Sequence, residues 1–320
     1  MSNTDVVIER APKKFLTRGK KRAIFYTLMM TLPIVQFLIF YVYLNLEAFS
    51  MAFQRYVQNP ITKQFEIEFT MDNFGKVIDL MFSTAKFKLI TNSFVLFVFH
   101  TGVGTLLVLT FSYYIYKKMR FAEFFRVVLF LPGIISAVVW SALFSFFLDP
   151  MYIELTGARL GFIENSDTKF TALIIYTLWV GFGGNILLYT GAMSGINESI
   201  VESASLDGAN FFQEFFHITF PMIFNTFSTF IITAIAAIFT NQMGLYTFFG
   251  KNAPDFIQTV GYYMYYITLE SDVWISETKA GKGILTYCEL SAMGLLITAV
   301  TLPIVYAFRY LCRKFGPSVD

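Results

Sequence analysis

Between Ser194 and Phe220 the chain carries Glu198, Glu202, Asp207, Glu214 and His217 but no Lys or Arg. Carboxylates gathered on a segment with no cation of its own suit pairing with a basic partner. The local signals predict two short helices around a turn. Asn197 is placed to cap the first helix, with Glu198 at its positive end. Gly208 supplies the left-handed residue that ends it, and Asn210 with Gln213 three positions on resembles a capping box for the second. Phe211, Phe212, Phe215 and Phe216 form a paired apolar stripe, and Pro221 fits the first turn of the helix that follows. Acids around a turn and phenylalanines along one side suit insertion into a cleft. A helix lying on a bilayer surface would instead favour Lys and Arg on its polar face.

A second group of polar residues lies within or beside apolar runs: Asn185, Asn225, Asn241, Gln242 and Glu289. Polar side chains at membrane depth face a cavity or another helix. Amides and carboxylates can bind the hydroxyls of a solute, or they can bond between helices. Gly181, Gly183 and Gly184 read as close helix packing. Other chemistries find no support. Cys288 and Cys312 are 24 residues apart, about 36 Å along one helix and beyond disulfide reach. Two histidines, His100 and His217, are too few and too scattered for a metal site. The Gly-Lys pairs at Lys20, Lys76, Lys251 and Lys282 are followed by Lys, Val, Asn and Gly, so no phosphate-cradling loop is encoded. An integral-membrane enzyme would need clustered His, Asp or Glu at one membrane face, and the sequence has no such cluster.

Composition sets the elements that must carry these groups. Of 320 residues, 56% are apolar and 14% charged, with 39 Phe and 18 Tyr; mean hydropathy is +0.58. That excludes a soluble enzyme and a disordered scaffold. A net charge of +2 gives no reason to expect nucleic acid. Six stretches are long enough to cross about 30 Å of hydrocarbon, at residues 23–45, 91–116, 124–148, 170–193, 221–240 and 284–308. The expectation is an all-α membrane protein of six transmembrane helices.

Orientation follows from the basic flanks. Arg10, Lys13, Lys14, Arg18, Lys20, Lys21 and Arg22 precede the first span, Lys117, Lys118, Arg120 and Arg126 follow the second, and Arg309, Arg313 and Lys314 follow the last. Both termini are therefore expected in the cytoplasm, the first apolar stretch being too long for a signal peptide. The plan is a basic tail at 1–22, a six-helix transmembrane region at 23–310 with an outer loop at 47–89 and the acidic inner loop at 194–220, and a tail at 311–320. The outer loop is expected to hold a small hairpin, from an Asn59-Pro60 turn and the alternation after Gln64. The 241–283 loop, with Pro254, is a second candidate surface.

The acidic loop carries a more specific pattern. Glu202-Ser203-Ala204, then Asp207-Gly208, nine residues, and Ile218-Thr219-Phe220-Pro221 resembles the Glu-Ala-Ala loop of ABC importer permeases, with Ser203 for Ala and Phe220 for Leu. The Asp207-Gly208-Ala209 run is similar to the carbohydrate-type, maltose-transporter-like subset. Phe69 to Phe74 and Phe130-Leu131-Pro132, read as opening the third helix, resemble that subset too. The resemblance implies a type I ABC importer transmembrane domain that moves a sugar or oligosaccharide by alternating access. It implies two ATP-binding cassette ATPase subunits as partners, which would bind ATP and Mg, with no cofactor in this chain. A second homologous permease and an extracellular solute-binding protein are implied as well. Glu202, Ser203, Ala204, Asp207, Gly208, Ile218 and Pro221 would couple to the ATPase. Asn241 and Gly181 fall where that subset contacts sugar, and Gln242, Asn185 and Glu289 are further candidates. Alternatives are the same fold importing a polyol, glycerol phosphate or other small solute, or a stand-alone secondary transporter.

Overall fold

The computed structural model describes residues 18–58, 65–84, 86–269 and 286–317. Arg10, Lys13 and Lys14, the Asn59-Pro60 turn, Gln64 and Lys282 lie outside the described residues, as do residues 270–283 of the 241–283 loop. The chain divides into two compact units at Met51 and Ala52. The first unit is a helical run: α1 (Arg18–Phe37), a π-helical turn (Leu38–Tyr43) and the start of α2 (Leu44–Ala52). It is longer than the expected first span, because nothing after Asn45 breaks the ladder until the chain turns into a strand.

In the second unit β1 (Gln54–Gln58) and β2 (Phe65–Phe69) form the expected antiparallel hairpin, with Gln54 opposite Phe69. The amphipathic α3 (Asp72–Phe82) follows it. Asn73, buried at the start of α3, donates from Nδ2 to the carbonyls of Ala52 and Gln54, both at 2.9 Å. The 47–89 segment is thus largely regular structure.

The remaining helices are α4 (Phe87–Phe97), running through a π-helical turn (Val98–Val103) into α5 (Gly104–Tyr116), then α6 (Ala122–Ile134), α7 (Ala137–Thr156) and α8 (Lys169–Ser194). The acidic loop gives α9 (Glu198–Leu206) and α10 (Phe211–Glu214). After it come a π-helical turn (Phe215–Thr219), α11 (Phe220–Met222), α12 (Phe224–Ala236), α13 (Leu245–Phe249), α14 (Val260–Leu269) and α15 (Tyr287–Phe315). Among the described residues five helices are long and apolar enough to cross a membrane, or six if a bent pair counts as one span.

Two expected spans are not straight helices. The third breaks at Ile135 and Ser136, both extended, so α6 and α7 are separate. Pro132 lies in the last turn of α6 and closes a helix instead of opening one. Its missing N–H and the following Gly133 end the ladder within a turn. The helix that meets the length test is Ala137–Thr156, displaced toward the C-terminus from 124–148. At its entry the fifth span is bent: Phe211–Met222, most of it in the inner loop, meets Phe224–Ala236 at 69°. The wide turn at 215–219 and Pro221 disrupt the ladder there.

Buried apolar residues fall into clusters. One joins Val108, Leu109 and Tyr113 of α5 to Ile186, Tyr189 and Met193 of α8, with Ile223 at the bend. Another joins Val77 and Met81 of α3 to Val260 and Ile267 of α14 and Leu290 and Met293 of α15. Gly183 lets α6 and α8 approach, since a Cβ there would meet the carbonyl oxygens of Phe130 and Leu129 at 3.2 and 3.3 Å.

Candidate functional site

The acidic loop folds as its local chemistry dictates. Asn197 Oδ1 accepts the Ser199 N–H at 3.1 Å and caps α9. Gly208 takes φ +80 with open space around its Cβ position, so backbone conformation alone demands glycine there. Asn210 and Gln213 complete the capping box at 2.9 and 2.8 Å.

Glu202, Ser203, Asp207 and Gly208 are exposed, whereas Ala204 of α9 is buried and Ile218 and Pro221 are half-buried. Among the described residues no ion pair involves Glu198, Glu202 or Asp207. Leu206, beside Asp207, is 88% exposed. The loop tip therefore presents an exposed leucine among exposed acids. Sequence reasoning passed over Leu206 because one leucine in a short helix reads as a core residue.

Glu214 behaves differently from the other acids. It is 5% exposed, and Lys117 Nζ lies 2.9 Å from both its carboxylate oxygens. The Phe stripe also splits. Phe211 and Phe215 pack on Tyr113 with ring centroids 4.6 and 4.8 Å apart, and the Tyr113 hydroxyl donates to the Phe211 carbonyl at 3.2 Å. Phe212 and Phe216 are 69% and 62% exposed and line an apolar groove of about 430 Å³ with Leu106, Phe227 and Ile231.

The five candidate solute residues do not converge. Gly181 and Asn185 line one cavity of about 160 Å³ with His100, Thr105, Tyr189 and Thr233. Among the described residues, His100 Nδ1 and the Tyr189 hydroxyl have no hydrogen-bond partner there. Asn185 Nδ2 donates to the Gly181 carbonyl at 3.2 Å. Asn241 and Gln242 lie in the turn after α12, where Asn241 Oδ1 accepts the Met243 N–H at 2.8 Å and Gln242 Oε1 is buried without a partner. Glu289, expected at mid-membrane, instead occupies the first turn of α15. Its Oε2 accepts the Thr286 N–H at 2.8 Å and its Oε1 meets Lys76 Nζ at 3.1 Å. The Thr-x-x-Glu spacing at 286–289 is a capping box, a signal the sequence contained. His100 was legible too, as an imidazole in an otherwise apolar run.

With that geometry established, comparison with known proteins decides the family. Residues 108–320 match the family described as binding-protein-dependent transport system inner membrane component. The chain belongs to that family. The matched stretch takes in most of α5, from Val108 on, and every described helix after it, the acidic loop included. The arabinooligosaccharides transport system permease protein AraP of Bacillus subtilis is 26% identical over 205 residues, 61% of this chain and 63% of AraP. The galactooligosaccharides transport system permease protein GanP of the same organism is 30% identical, over 42% of this chain and 34% of GanP. The maltose/maltodextrin transport system permease protein MalF of Escherichia coli is 30% identical, over 39% of this chain and 26% of MalF. The chain thus matches less than two thirds of the length of these relatives.

Among solved structures, a chain of a bacterial ABC transporter involved in the import of the acidic polysaccharide alginate superposes with a TM-score of 0.72 at 21% identity. The superposition covers 93% of this chain and 98% of that one. At 93% of the chain, the superposition reaches well beyond the 108–320 stretch of the family match. As a member of this inner-membrane-component family, the chain is a multi-pass membrane protein.

Proposed function

We propose that this chain is the permease subunit of an ATP-driven, binding-protein-dependent importer that moves a sugar or oligosaccharide by alternating access. The observation that carries the reading is the 194–220 loop within the family-matched region, whose tip leaves Glu202, Asp207 and Leu206 exposed, with no ion pair to either acid among the described residues. That tip is a shape and a charge for a basic groove. The groove belongs to a cytoplasmic ATPase chain, with Glu202 and Asp207 pairing with its cations and Gly208 making the turn. Two such chains bind ATP and Mg. A second, homologous permease and an extracellular solute-binding protein complete the assembly. The termini and the loop lie on the cytoplasmic side of the cell membrane, as the basic flanks require.

Carbohydrate is favoured by the names of AraP, GanP and MalF, each an oligosaccharide or maltose/maltodextrin transport permease. The alginate transporter was also solved in complex with a periplasmic protein bound to an alginate pentasaccharide. In this chain, Gly181 and Asn185 would meet the solute from the cavity they share with His100, and Asn241 and Gln242 from the turn after α12. Glu289 is committed to its cap and to Lys76, and drops out of the solute path. Among the described residues the lining of the cavity holds no Lys or Arg, which favours a neutral solute over a phosphorylated one. The bundle alternates between two states biased by ATP and by the loaded binding protein.

Purification from the native host in mild detergent, with intact-mass identification, tests the reading. Recovery of an ATP-hydrolysing chain with a second permease, and stimulation of that activity by an oligosaccharide, is expected. Recovery of this chain alone, after cross-linking as well, would overturn it.

A further inference from the structure

Four acids lie on the 194–220 loop, and the structure divides them. Glu198, Glu202 and Asp207 face solvent, whereas Glu214 is buried against Lys117, the residue that caps the C-terminal end of α5. A carboxylate removed from water holds its charge only if a cation is held against it. The Lys117 ammonium does this while also lying at the negative end of α5. Around the pair, Tyr113 of α5 holds Phe211 and Phe215 of the loop by two ring contacts and one hydrogen bond. The loop is therefore fastened to the end of α5 by one charged contact inside an aromatic seat. The same α5 continues along α8 and presents Gly104, Thr105 and Val108 to the cavity that holds His100 and Asn185.

We propose that the Lys117–Glu214 pair is the link through which displacement of the loop is imposed on α5 and so on the wall of that cavity. Lys117 and Glu214 are then positioning residues for coupling, and neither touches solute or nucleotide. This rests on the reading of the loop as the ATPase contact. An aromatic seat alone can slide, since ring contacts tolerate many offsets. A buried ion pair cannot slide without exposing an uncompensated charge, so loop and helix end move together.

The test uses the complete assembly purified from the host, in a background of Cys288→Ala and Cys312→Ala with a single Thr105→Cys. Reaction of that thiol with a charged maleimide is followed with and without ATP and vanadate. The parent is expected to show a several-fold change in rate between the two conditions. Lys117→Met is expected to hydrolyse ATP but to lose that change. Lys117→Arg, and the exchange of Lys117→Glu with Glu214→Lys, are expected to restore it. If Lys117→Met does not assemble, Glu214→Gln carries the same expectation. A nucleotide response in Lys117→Met or Glu214→Gln equal to the parent's would overturn the link, as would failure of the exchanged pair to restore it. A parent assembly with no ATPase chain and no response refutes the reading of the loop itself, and the link falls with it.

Discussion

Gly181 of α8 faces the ring of His100 so closely that a Cβ there would lie 2.7 Å from His100 Cε1. The glycine makes room for the imidazole, and together they form one side of the polar cavity. Adding a methyl to a filled site costs about 1–3 kcal/mol through strain. Gly181→Ala is expected to lower thermal stability in detergent by that order, and His100→Ala in the same chain to remove most of the loss. An equal loss with and without the imidazole would show that the contact is not the cause.

Gly261 of α14 meets backbone instead of a side chain. A Cβ there would lie 2.5 Å from the Asn241 carbonyl oxygen and 2.7 Å from the Thr240 carbonyl carbon. Backbone cannot swing aside as a ring can, so Gly261→Ala should be the more damaging change, at or above about 3 kcal/mol. Asn241→Ala should not relieve it, because the crowded atoms remain. Unfolding curves of the single and double variants decide this. Rescue by Asn241→Ala would contradict the assignment.

Glu289 has two structural tasks that substitutions separate. Glu289→Gln keeps an acceptor for the Thr286 N–H and loses only the pair with half-exposed Lys76, a loss of about 1 kcal/mol or less. Glu289→Ala loses both and should cost more, by about 0.5–2 kcal/mol for the cap. Thermal unfolding reads the difference. Solute transport by Glu289→Gln should keep its KM, and a large rise in KM would return Glu289 to the solute path.

The loop tip makes the opposite prediction, of function lost with stability kept. Glu202→Lys combined with Asp207→Lys changes two exposed, unpaired side chains. Surface changes of this kind fall within about 0.5 kcal/mol. The double variant should unfold at the parent's temperature and retain no ATPase chain through purification. Normal retention would show that these charges face no basic partner.

Much of this was legible in the sequence because it is local. The caps at Asn197 and Asn210 and the left-handed Gly208 follow from residue chemistry within a few positions, and all appear in the structure. The hairpin at 54–69 follows from alternation. Long-range pairings were not legible. Glu214 looked like another partner-facing acid, because nothing local reveals Lys117 about a hundred residues earlier. Glu289 was misplaced because hydropathy starts the last span at 284, whereas the Thr286 cap sets its first turn. The third span was read as continuous because an apolar window does not register two extended residues, Ile135 and Ser136. The rough positions of the spans were set by composition, but their breaks by single prolines and glycines.

The account stands on the loop tip touching an ATPase chain. The most direct measurement places a single cysteine at exposed Ser205 in the Cys288→Ala, Cys312→Ala background and applies a short thiol cross-linker in native membranes. The account predicts an adduct whose second component is an ATP-binding chain by mass and whose yield changes with ATP and vanadate. An unmodified Ser205→Cys chain, under conditions where a cysteine at exposed Arg120, in the turn between α5 and α6, reacts normally with a free maleimide, would contradict it.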